Sequence, residues 1–142
     1  MKDLITDVPF DYWNKLANQI ITISSLLGGF SIAIIANILV SNSDSRLVKY
    51  IMIFSTLAGS FFLITIFAMT KLSLMTTPGY PFPVQSSDLT LPRVLGTICL
   101  YLGIFSLITL ISLSGWTKSK KLGKVTTALG IFTLIIIVLM TT

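Results

Sequence analysis

Residues 16–40 read LANQIITISSLLGGFSIAIIANILV, a stretch with no charged side chain. As a helix it is about 37 Å long at 1.5 Å per residue, enough to cross about 30 Å of hydrocarbon. Inside a bilayer a segment must satisfy its own backbone N–H and C=O groups, and for a continuous apolar run of this length the solution is a helix. Three further stretches read the same way: 48–70, 94–116 and 122–140. Lys49 and Lys124 stand at the ends of their stretches, and the interiors carry no Asp, Glu, Lys or Arg. The expected fold is all-α, an integral membrane protein of four transmembrane helices within 16–142, preceded by an N-terminal segment, 1–15.

The composition agrees. Of 142 residues, 54% are hydrophobic and 11% charged, with mean hydropathy +0.92; a soluble domain carries about 25% charged residues. The opening MKDLITDVPFDYWNKL holds three aspartates and lacks the basic-then-apolar order of a signal peptide, so the first helix is expected to be retained. Histidine is absent and cysteine occurs once, at Cys99, which removes internal disulfides, thiolate metal sites and His-containing triads. No acid–base pair and no phosphate-binding glycine loop followed by Lys and Ser or Thr is present, so neither enzyme chemistry nor a cofactor or metal is expected. Proton-coupled transport normally uses an intramembrane titratable group. Small multidrug transporters carry a glutamate in their first helix, and this first helix has none.

The connections differ in character. SNSDSR (41–46) and TKSKK (117–121) are short and polar, so the helices pair as two hairpins. The middle segment 71–93 holds four of the five prolines and reads as a turn followed by extended chain. In TDVPFDYWNKL (6–16), Asp7 precedes Pro9, a helix-start pattern. Two readings stay open: the first helix starts in water near Val8 and runs into the membrane, or 1–15 forms a short helix flat on the headgroups. Tyr12 and Trp13 suit one membrane interface and Trp116 the other. The side bearing the short loops carries six Lys or Arg and the opposite side four, which leans the short loops toward the cytoplasm.

Within the first helix, Asn18, Thr22, Leu26, Gly29, Ala33 and Asn37 recur at spacings of three and four, one stripe of a helix. Extended backwards, the stripe reaches Asp11 and Asp7. If several copies surround an axis, it describes a pore: a vestibule at Asp7, Asp11 and Asn18, then Thr22, a constriction at Leu26 and Phe30, a narrow section at Gly29 and Ala33, and an amide ring at Asn37. Hydrophobic constrictions gate by dewetting, and polar rings replace part of an ion's hydration. The alternative is packing, with Gly29 and Ala33 as a small-xxx-small contact and Asn37 bonded to a neighbouring helix or loop. The other helices carry contact faces: Ser55 with Gly59, Thr56 with Ser60, Gly96 with Gly103, and Gly123 with Gly130. Lys118, Lys120, Lys121 and Lys124 serve either as a headgroup anchor or, once several subunits assemble, as a basic ring for a polyanion.

SSLLGGFSIAIIAN (24–37) resembles the first helix of Orai-type calcium channels, and FSTLAGSFFLITIFAM (54–69) resembles their second. The resemblance implies an ion channel around the first helix. A pore lined mainly by one helix per chain needs several chains, so a homo-oligomer is expected, with a tetramer as one candidate. Leu26, Phe30 and Ala33 then fall on hydrophobic pore positions and Asn37 on the acidic filter position. Without a carboxylate ring, weak selectivity is expected rather than calcium selectivity. The chain is also similar in size and helix count to the Hailong channel effectors of bacterial anti-phage defence. That likeness implies an inner-membrane channel held shut by an inhibitory oligonucleotide or nucleotide signal, here at the basic loop, and opened to depolarise the cell. Competing expectations are a non-conducting membrane scaffold or accessory subunit and a holin-like lesion-former; holins more often have fewer helices and a charged tail.

Overall fold

A computed structural model describes residues 9–41 and 44–141. It holds four helices: α1 (Phe10–Val40), α2 (Arg46–Met75), α3 (Ser86–Trp116) and α4 (Lys120–Thr141). Each is long and apolar enough to cross a membrane. The described chain is therefore all-helical, a multi-pass membrane protein.

The helix starts follow local chemistry. Ser45 accepts from the Val48 N–H at 3.3 Å, and Ser119 accepts from the Leu122 N–H at 3.2 Å, each satisfying a donor that the first turn leaves orphaned. At α3 the Asp88 carboxylate reaches back to the Gln85 N–H at 3.0 Å. α1 begins one residue after Pro9 and runs without a break into its apolar stretch. Asp7 lies outside the described residues.

The middle segment is shorter than its prolines imply. α2 continues to Met75 and α3 begins at Ser86, so helix covers Lys71 and the whole run from Ser86 to Arg93. Pro92 sits inside α3, buried. It lacks the N–H that would pair with the Asp88 carbonyl, one hydrogen bond near the helix start. The Asp88 cap begins the helix upstream of the proline, and helical geometry on both sides tolerates that single loss.

The helices pack in series: α1 on α2, α2 on α3, α3 on α4. α1 and α4 are thus the outer members; at one end α1 and α3 converge, where the Arg93 guanidinium lies 4.8 Å from the centre of the Trp13 ring and Ala17 shares a buried cluster with Leu89. Apolar burial drives little helix association within lipid, so close approach and interhelical hydrogen bonds carry the contacts. Each contact has both. α1 presents Ala17, Ser24, Gly28 and Ser31 to α2, and Ser55 donates to the Ser31 carbonyl at 2.7 Å. Phe62, fully buried on α2, fills the space left by Gly28 on one side and Gly103 of α3 on the other. Thr65 donates to the Gly96 carbonyl at 3.3 Å. Between α3 and α4, Thr126 packs against Gly115 and donates to the Ser112 carbonyl at 3.1 Å, while Gly123 admits the Trp116 ring. Ser55, Gly59, Gly96, Gly103, Gly123 and Gly130 are buried contact positions, whereas Thr56 and Ser60 are exposed.

Candidate functional site

The contact face of α1 fixes the direction of every other residue on it. At 3.6 residues per turn, the stripe Thr22, Leu26, Gly29, Ala33, Asn37 lies roughly half a turn from Ala17, Ser24, Gly28 and Ser31. It therefore points away from α2, on the outer side of an outermost helix. All of these stripe residues, with Phe30, are exposed. No heavy atom lies within 4 Å of where a Gly29 side chain would begin. The Gly29–Ala33 pair thus takes no part in packing within the chain, which uses Gly28 instead.

The polar end of the stripe is internally bonded. Asn14 donates to the Ser73 carbonyl at 2.8 Å and to the Thr76 and Thr77 hydroxyls at 3.2 and 3.1 Å, tying the start of α1 to the end of α2. Asn18 donates to the Asn14 carbonyl at 2.9 Å, and Thr22 to the Asn18 carbonyl at 3.0 Å. Asp11 pairs with Lys15 at 2.9 Å, both well exposed. The Asn37 amide is exposed and makes no side-chain hydrogen bond among the described residues.

Depth follows from the helix pairings. The Ser55–Ser31 bond aligns Asn37 with the level of Lys49, and the Asn14–Ser73 bond aligns Lys15 with the neighbourhood of Lys71. From Lys15 to Asn37 is about 33 Å along α1, close to the hydrocarbon thickness of about 30 Å. Asn37 therefore sits at one rim of the apolar layer, where an amide can be hydrated, rather than at its centre. The Trp116 indole N–H, near Lys124, donates to Thr127 at 3.1 Å at that same rim. Trp13 and Arg93 mark the other.

Charge is divided unequally between the two ends. The short-loop end carries Arg46, Lys49, Lys118, Lys120, Lys121 and Lys124 against Asp44 alone. Among the described residues the opposite end carries Lys15, Lys71 and Arg93 against Asp11 and Asp88, so most of the net positive charge resides at the short-loop end. Lys120, Lys121 and Lys124 stand in the opening turns of α4, where no acid offsets them. The partial positive charge of the helix N-terminus adds to theirs.

Among the described residues no group of three or more metal-ligating side chains occurs, and Cys99 is buried as a free thiol. Comparison with protein-family models, curated proteins and solved structures gives no match. The open α1 face and the basic end are accordingly the two features from which function can be argued.

Of two further elements of this geometry, one carries a signal in the sequence and the other does not. Ala17, Ser24 and Ser31 stand seven apart, the same spacing as Gly96 and Gly103, and mark the true contact face of α1. The Trp13–Arg93 contact had no sequence signal, because it depends on α1 and α3 converging at one end.

Proposed function

We propose that the protein is a weakly selective, homo-oligomeric ion channel lined by α1. In this reading Leu26 and Phe30 form the constriction, Gly29 and Ala33 a narrow section, and Asn37 an amide ring at one mouth. The observation that carries it is the open stripe of α1, polar at both ends and turned away from the rest of the chain. A four-helix series cannot itself enclose water and shield it from lipid, so several copies would place α1 at an axis with α2–α4 outside. Asn37 at the rim suits a filter at a pore entrance, and an amide without charge discriminates weakly among ions.

The setting proposed is a bacterial cell membrane, where opening would depolarise the cell as a defence response. The basic end supports a polyanionic regulator, an inhibitory oligonucleotide or nucleotide signal held by Lys118, Lys120, Lys121 and Lys124. Such binding would weaken steeply with salt.

A second reading, a non-conducting scaffold, draws on the same face. Thr22 and Ser25 hydroxyls bond to their own helix at 3.0 and 2.8 Å, and Gly29 with Ala33 would let two copies meet dry. Recording from purified protein in planar bilayers separates the two. The channel reading expects discrete currents whose conductance changes in Asn37→Ala and Phe30→Ala, with membrane insertion intact. Currents identical in parent and both variants would remove α1 from the pore, and silence from protein stripped of polyanion would favour the scaffold.

A further inference from the structure

On the membrane-facing side of α2 and α3 an apolar groove of about 310 Å³ runs between Leu63, Phe67 and Lys71 of α2 and Leu91 and Leu95 of α3. Lys71 and Leu91 also line a second, half-polar recess of about 490 Å³, closed by Tyr80 and Phe82 of the connecting loop and by Ser87 and Asp88 of α3. The two spaces adjoin at Lys71 and Leu91. The first lies along about 12 Å of α2, two helical turns within the apolar layer, and the second lies at its rim.

The charges at this junction are specific. Of the three cations described at this rim, Lys15 is paired with Asp11 and Arg93 is stacked on Trp13. Lys71 has no ion pair among the described residues. Asp88 spends one carboxylate oxygen on the Gln85 N–H, and its carbonyl lacks the helical donor that Pro92 cannot supply. Among the described residues the recess thus offers one unpaired cation, Lys71, and one carboxylate, Asp88, with no net charge between them. By contrast, the α3–α4 groove beside Leu102, Phe105 and Ile108 has no charged residue in its lining.

We propose that the α2–α3 groove is a binding site for a zwitterionic phospholipid, with one acyl chain along Leu63–Lys71 and an aminoethyl phosphate head in the recess. Lys71 takes the phosphate and Asp88 the ammonium, a pairing that an anionic headgroup cannot complete. A lipid here would wedge α2, α3 and their connecting loop together without touching the α1 face, so the site stands or falls independently of the channel reading.

The test is lipid retention. The full chain is reconstituted in nanodiscs of equimolar phosphatidylethanolamine and phosphatidylglycerol with identical acyl chains. It is then re-extracted into mild detergent, and the bound lipid is quantified by mass spectrometry. Severalfold enrichment of phosphatidylethanolamine is expected, lost in Lys71→Gln and in Leu95→Trp, which fills the groove, and kept in Lys124→Gln at the other end. Retained lipid matching the bulk ratio, enrichment of phosphatidylglycerol, or enrichment that survives both groove variants would overturn the proposal. Lys71 is exposed, so its variant keeps the test valid if Leu95→Trp fails to fold.

Discussion

Gly29 and Gly103 differ by their surroundings alone, and they separate the two jobs that small residues do in this molecule. At Gly103 a methyl group would meet the buried Phe62 ring at 2.8 Å. Gly103→Ala is expected to cost about 1–3 kcal/mol through overpacking, read as lowered resistance to unfolding in detergent. At Gly29 the same change meets open space, and the better helix propensity of alanine predicts a neutral or slightly stabilised monomer. A change in self-association or current from Gly29→Ala would then report on contacts between copies. Ser24 offers the opposite case. Its hydroxyl is fully buried and makes no hydrogen bond among the described residues. Ser24→Ala removes a desolvated polar group and is expected to leave stability equal or raise it by up to about 1 kcal/mol.

At the scale of the element, each interhelical contact combines a small-residue gap with one hydroxyl-to-carbonyl bond. Thr126→Val keeps the shape and removes the bond to Ser112. A loss of about 0.6 kcal/mol is expected, confined to α4 and visible as faster hydrogen exchange there before the other helices respond. The spans themselves were legible in the sequence, because hydrocarbon thickness sets a length that apolar runs of this size cannot conceal. The ends of α2 and α3 were not. Prolines at 78, 81, 83 and 92 read alike as residues, yet only Pro92 lies within a helix, and the Asp88 cap that starts that helix upstream of it is a matter of geometry. On α1 the stripe containing Asn37 was legible as a stripe. Its direction was not, since facing away from α2 depends on which of two small-residue faces α2 selects.

For the whole molecule, the dominant asymmetry is electrostatic. Converting Lys118, Lys120, Lys121 and Lys124 to glutamine leaves Arg46 and Lys49 at the short-loop end against Lys15, Lys71 and Arg93 at the other. The topology bias should then reverse. Site-directed labelling of single cysteines introduced in the 117–119 turn, in a Cys99→Ala background, should show the parent turn on the cytoplasmic side and the variant turn mixed or inverted. An unchanged location would mean that Arg46 and Lys49 suffice to hold the orientation.

The serial packing also bears on how the chain is made. Each helix finds its main partner in the one synthesised just before it, so no segment waits in the bilayer for a distant sequence to emerge. Contacts of such short range close with little chain entropy, which favours rapid acquisition of structure. A ribosome-bound intermediate halted after α2 contains both partners of the Ser55–Ser31 bond and of the Asn14 tie between the helix ends, so those contacts can form before α3 is made. Maturation can thus proceed as addition of one helix at a time to a finished edge, with the face of α1 free throughout.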